Sequence, residues 1–128
     1  MNVTFTEREL DIMTVLWDAG PSTVAEVQQR LPLRLAHNTV LTMLTILETK
    51  GYVGHTVEGR AHRFHPRVDR ETAGTSILGR ITENLFGGSA ELLLTQLVRD
   101  RRVGEEEIRR MRELLDERLG QTEDEETP

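Results

Sequence analysis

The sequence predicts a mainly α chain with one small β-hairpin, an α+β arrangement in which three helices and the hairpin are followed by more helices. Three observations predict it. Apolar residues recur at helical spacing between recognisable caps as far as Lys50. The period then falls from about 3.6 to 2 over residues 52–65, around a single glycine turn. Helical spacing resumes beyond Asp69, with no further strand pattern.

In order along the chain, Thr6-Glu7-Arg8-Glu9 is a capping box ahead of Leu10, Ile12, Met13, Leu16 and Trp17. It predicts a first helix from about residue 7 to Asp18, ended by Gly20-Pro21. Thr23-Val24-Ala25-Glu26 repeats the signature before Val27 and Leu31, giving a short second helix that stops at Pro32. After the linker PLRLAH, a third helix takes residues 38–50, with Gly51 as its left-handed cap. The hairpin places Glu58-Gly59 at the centre of its turn, so that Val57 faces Arg60, His55 faces His62 and Val53 faces Phe64. Val53 and Phe64 are then its anchors on the helical core. A fourth helix spans residues 70–86 and breaks at Gly87-Gly88. Ser89 caps a fifth, carrying Leu92, Leu93, Leu94, Leu97 and Val98, and a last one from about Glu105 carries Ile108, Met111, Leu114, Leu115 and Leu119.

These elements divide the chain into a three-helix-plus-ribbon domain over residues 1–68, a helical region over 69–120, and a polar, acidic tail over 121–128 expected to be disordered. The helical region has no further strand to cover. Its apolar residues, with Ile77, Leu78, Ile81, Leu85, Leu93, Leu97, Ile108, Met111 and Leu115 as the candidate contacts, are therefore expected to be buried against a second copy of the chain.

Composition narrows the function classes. The 128 residues hold no cysteine, which excludes a disulfide framework, a thiolate metal cluster and a cysteine nucleophile. The start of the chain shows no basic segment followed by an apolar one, and no run of about 18 apolar residues exists to span a bilayer. The expectation is a cytoplasmic protein without membrane insertion. The net charge is −6, but it is unevenly placed: residues 29–67 carry six basic residues against two acids, whereas residues 68–128 carry nine against fifteen. A polyanion would meet a locally positive front.

The third helix raises a question of its own. With Val40 as reference at 100° per residue, Val40, Met43, Leu44 and Leu47 fall within about 60° of one direction. Asn38, Thr42, Thr45 and Thr49 collect on the opposite side, with Thr39, Leu41 and Ile46 on its shoulders. A merely solvated face carries Glu and Lys. Threonine is a mediocre helix former, so an uncharged threonine face implies contact with something. Three helices and a ribbon make a winged helix-turn-helix, whose third helix enters the major groove of DNA while the ribbon lies on the neighbouring backbone. In that reading Asn38, Thr39 and Thr42, in the deeper N-terminal half, contact bases, with Leu41, Thr45 and Ile46 beside them. Arg34, His37, Lys50, Arg60 and Arg63 flank the face and contact phosphates. The alternative is a winged-helix module that docks protein without sequence-specific DNA binding; a small-molecule or metal-responsive regulator is a third.

Other chemistry finds little support. His55, His62 and His65 lie in the hairpin, but residues 62 and 65 point to opposite faces, and His55 with His62 lacks a further ligand. No metal site or cofactor is expected. No nucleophile–base set, carboxylate pair or phosphate loop is present either, so no catalytic residue is assigned and the chain is not expected to be an enzyme.

Four stretches carry a resemblance: FTERELDIMTVLWDAGPSTVAEV at residues 5–27, NTVLTMLTILETKGYV at 38–53, EGRAHRFHP at 58–66 and LFGGS at 85–89. Over residues 5 to about 119 the chain resembles the penicillinase-repressor (BlaI/MecI/CopY) family of bacterial winged-helix repressors. The resemblance implies a homodimer with intertwined C-terminal helices, bound to a two-fold symmetric operator in double-stranded DNA and repressing β-lactam-resistance-type or related stress genes. It also implies a membrane sensor-protease as partner, since members are commonly released from DNA by cleavage of the helical region. Many relatives carry a basic residue at one or more positions corresponding to Leu41, Thr45 and Ile46. Others sense copper through a cysteine cluster, which this chain lacks, and the Asn-Phe pair cut in well-known members has no counterpart in ELLLTQLVRD at 91–100.

Overall fold

The computed structural model describes residues 2–126, with side chains described as far as residue 122. Helix α1 spans Glu7–Ala19 and is started by the capping box: Glu9 N–H donates to Thr6 Oγ1 at 3.2 Å, and Thr6 N–H to Glu9 Oε1 at 2.8 Å. It ends at Gly20, whose φ of +80° lets its N–H reach Leu16 O at 2.9 Å. A two-residue strand β1, Ser22–Thr23, leads into α2, Val24–Arg30, which Thr23 caps through the Glu26 N–H at 3.3 Å.

Helix α3 spans His37–Thr49. Its end has a physical logic in Gly51, which adopts φ +87°. That left-handed residue lets Gly51 N–H bond Glu48 O at 3.0 Å and Tyr52 N–H bond Leu47 O at 3.0 Å, so the last carbonyls are satisfied. Tyr52 and Leu47 are both buried beside that turn.

Strands β2, Val53–Glu58, and β3, Ala61–Pro66, form the ribbon, and β1 adds to its other side, giving an antiparallel sheet in the order β1-β3-β2. The register differs from expectation. Glu58 pairs with Ala61, Val57 with His62, His55 with Phe64 and Val53 with Pro66, so Gly59-Arg60 occupies the turn centre. The cause is Gly59, with φ +63°, at the first central position, as a Gly-X hairpin turn requires. The slip is two residues on the partner strand, so every side chain keeps its expected face. Val53 and Phe64 are accordingly buried, as anchors should be.

Helix α4 spans Arg70–Phe86, opened by the Asp69 carboxylate, which accepts from Thr72 N–H at 2.7 Å and is held below its ordinary pKa by the Thr72 hydrogen bonds. Gly87 and Gly88, both at positive φ, end it. Helix α5 spans Ala90–Asp100 behind its Ser89 cap, and α6 spans Glu105–Glu126. Residues 121–126 therefore continue α6 where composition suggests a disordered tail. Glu and Gln are good helix formers, and extending a formed helix is easier than starting one. The last two residues of the expected tail lie outside the described residues.

Two compact units result, the first ending at Ile81 and the second beginning at Thr82. The division falls inside α4 rather than at residue 68, because the start of α4 is built into the first unit. Val3 N–H donates to Ser76 Oγ at 2.8 Å, the Arg80 guanidinium reaches Asn2, Val3 and Thr4, and Ala73 is buried. Trp17 Nε1 donates to Val68 O at 2.9 Å, and Arg70 lies over the same indole, 5.5 Å from its centroid. The first unit owns the core, centred on Ile12, Met13, Leu16, Val27, Leu44, Leu47 and Phe64. In the second unit no residue with a described side chain is buried.

Candidate nucleic-acid interface

The core stripe of α3 is as the spacing requires: Val40, Leu44 and Leu47 are buried and Met43 is half-buried. The opposite side is open. His37, Asn38, Thr39, Thr42, Thr45, Ile46 and Thr49 are exposed, and Leu41 is half-buried at one shoulder. Thr42 Oγ1 donates to Asn38 O at 2.8 Å, Thr45 Oγ1 to Leu41 O at 2.8 Å and Thr49 Oγ1 to Thr45 O at 3.0 Å.

The start of α3 is uncapped. Ala36 occupies the cap position and offers no side-chain acceptor, so the N–H groups of the first turn have no partner within the helix. Their dipoles favour an anion there. Between this helix start and the ribbon lies a cleft of about 350 Å³, lined by Val24, Leu41, His37, Arg60 and His62 among others. Arg34 and Arg60 are exposed and form no ion pair with any described residue.

Two cations expected to face phosphates are engaged inside the chain. Lys50 Nζ lies 3.0 and 2.9 Å from the two carboxylate oxygens of Glu9, a buried residue. Burial pushes the Glu9 carboxyl up, but the Thr6 hydrogen bonds and the Lys50 ammonium outweigh it and leave the pKa below its ordinary value. Arg63 is the hub of the ribbon's base. Its Nε donates to Glu58 Oε2 at 2.6 Å, and its terminal nitrogens reach Glu26 at 3.3 Å and Pro21 O at 3.1 Å. The Glu58 hydrogen bond, then that of Glu26, raises the Arg63 pKa, and Arg63 in turn lowers that of Glu58. Sequence spacing gave no sign of these pairings, since 41 residues separate Lys50 from Glu9 and 37 separate Arg63 from Glu26.

The histidines also acquire a partner that their sequence positions did not show. His55 Nδ1 lies 2.6 Å from Glu48 Oε2, tying β2 to α3, and the His55 ring stacks on His62 with centroids 4.5 Å apart. A carboxylate therefore does stand beside this imidazole pair. Even so, no group of three or more His, Asp or Glu suited to a metal ion occurs among the described residues.

Of the apolar residues assigned to self-association, Ile77, Leu93 and Met111 are half-buried. The others stand open: Leu78, Ile81, Leu85, Leu97, Ile108 and Leu115 are exposed, Leu85 at 74%. No helix among the described residues is long and apolar enough to cross a membrane.

Comparison with known proteins agrees with this geometry. A curated penicillinase repressor of Bacillus licheniformis is 26% identical over 117 residues, covering 87% of this chain and 88% of that protein. The solution structure of the DNA-binding domain of the repressor BlaI matches with a TM-score of 0.51 and 28% identity, covering 56% of this chain and 90% of that one. The structure of a MarR family protein from Bacillus stearothermophilus shares the fold at a TM-score of 0.50 and 19% identity, over 94% of this chain and 77% of the other. The penicillinase repressor family description matches residues 5–117. With nearly the whole chain matched, the protein belongs to the penicillinase repressor family, whose members are DNA-binding transcriptional repressors and not enzymes.

Proposed function

We propose that this repressor acts as a homodimer on a two-fold symmetric operator, with α3 of each protomer in the major groove and the ribbon on the adjacent backbone. The observation that carries the reading is the outward side of α3, where Asn38, Thr39, Thr42 and Thr45 are exposed without a charge among them. A groove floor of base edges suits such a surface better than water does. The uncapped start of α3, Arg34 and Arg60 supply the flanking phosphate contacts, and Arg63 holds the base of the ribbon through Glu26 and Glu58. Dimerisation is supported by the second unit, whose helices leave Leu92, Leu97, Ile108, Leu114, Leu115 and Leu119 exposed. Apolar surface of that extent in a pair of amphipathic helices calls for a partner, and a second copy supplies a self-complementary one. Two-fold symmetry of the protein then requires it of the DNA.

By analogy with the penicillinase repressor it resembles, the genes controlled are of the β-lactam-resistance or related stress type. The deciding experiment is a gel shift with the DNA upstream of the chain's own coding sequence against a scrambled duplex. The repressor should retard the first selectively, with affinity falling on the order of a thousandfold or more between 50 and 200 mM salt. Equal retardation of both duplexes would contradict recognition of an operator.

A further inference from the structure

Three threonines on the outward side of α3 turn their hydroxyl protons back into the helix, at 2.8, 2.8 and 3.0 Å for Thr42, Thr45 and Thr49. A hydroxyl has one proton. In the chain without DNA each of the three therefore presents outward its methyl group and an acceptor lone pair, its proton being engaged within the helix. Ile46, 45% exposed, and half-buried Leu41 add apolar carbon on the shoulders. No Arg or Lys stands anywhere in His37–Thr49, and the one acid there, Glu48, is held by His55.

Major-groove chemistry turns this inventory into a preference. Guanine presents two acceptors, O6 and N7, which call for a donor such as Arg or Lys. Thymine presents a methyl group, and adenine a donor and an acceptor that a side-chain amide such as that of Asn38 matches. Resting on the reading that α3 lies in the groove, we infer that Thr42 and Thr45 select the operator through contact with thymine C5-methyl groups. The base pairs under Thr42 and Thr45 are therefore A·T, and the protein reads them by methyl-to-methyl packing rather than by hydroxyl hydrogen bonds.

The test uses the full chain and a duplex enriched by it from a random-sequence library, with affinity followed by fluorescence anisotropy. Deoxyuridine replaces thymidine at each position in turn, removing the methyl and leaving pairing and backbone intact. Burial of one methyl corresponds to about a fourfold change in affinity, which is the loss expected at each contacted thymine. Thr42→Ser and Thr45→Ser, which keep the hydroxyl and drop the methyl, should each lose a similar factor and cease to distinguish thymidine from deoxyuridine at one position. Thr42→Val, which keeps the methyl, should retain both affinity and discrimination. These side chains are exposed, so unchanged melting temperatures will show that the variants fold.

Equal affinity for thymidine and deoxyuridine throughout the half-site overturns the inference. So does enrichment of half-sites in which no thymine methyl contact is lost with the Thr42→Ser or Thr45→Ser change, or a valine variant that fails where the serine variant succeeds. If no sequence is enriched at all, the operator reading itself falls, and this inference falls with it.

Discussion

The Lys50 ammonium spans both carboxylate oxygens of Glu9, at 3.0 and 2.9 Å, and so ties the last turn of α3 to the first turn of α1. Glu9 already accepts from Thr6 as part of the α1 capping box, so one buried carboxylate serves a helix start and a tertiary contact together. The orientation of α3 on the core is fixed in part by a pair outside the outward face.

Removing the lysine charge should therefore cost stability more than DNA affinity. Lys50→Met leaves the Glu9 carboxylate buried without its cation, a loss of about 1–3 kcal/mol, toward the low end because Lys50 is partly exposed. Urea unfolding measures it. A variant of unchanged stability whose salt slope on DNA falls by about one would place Lys50 on a phosphate instead.

The same pair sets a pH dependence. The folded-state pKa of Glu9 lies below its ordinary value of 4.5, so its contribution to stability is complete above 4.5 and is lost as pH falls through the folded value. Glu9→Gln should be less stable than the parent at neutral pH, and the gap should close in acid. Thermal melts from pH 7 to 3 will show it; a constant gap would mean that the carboxylate charge contributes nothing.

Ala36 offers a prediction with opposite signs for folding and binding. Ala36→Asp supplies the missing acceptor at the start of α3 and should stabilise the protein by about 0.5–2 kcal/mol. The added negative charge stands where a phosphate is proposed to sit, so affinity for DNA should fall. Paired melts and anisotropy titrations check both. Stabilisation with undiminished binding would remove the α3 start from the interface.

Leu115→Asp should separate the protomers. Leu115 is 52% exposed within one protomer, so its replacement leaves the fold of the single chain intact. Light scattering should then report a monomer, with operator affinity greatly reduced. A mass equal to the parent's would move the self-association surface elsewhere.

Much of this was legible in the sequence because the signals were local. The Thr6–Glu9 box, the Gly51 cap and Gly87-Gly88 mark helix ends through backbone chemistry confined to a few residues, and α4 was bounded at residues 70 and 86 on that basis. Strand β1 escaped because two residues show no periodicity; it exists only by pairing with Phe64 and Arg63. The turn register is not legible in the sequence because the position of Gly59 within the turn, not its presence, decides the pairing. On the interface, the exposed side of α3 followed from spacing alone. The engagement of Lys50 and Arg63 did not, since partners 41 and 37 residues away are set by the packing of α1 and α2. Nor does residue order show that a threonine hydroxyl turns back to its own helix rather than outward.

Whether the exposed side of α3 reads bases is decided at Asn38. Anisotropy titrations of the parent and Asn38→Ala should be run on an enriched operator duplex and on a scrambled one at the same salt concentration. We expect the variant to lose about 1–3 kcal/mol on the operator and almost nothing on the scrambled duplex, so that its preference narrows. Equal losses on both, or none on either, would contradict base reading by α3.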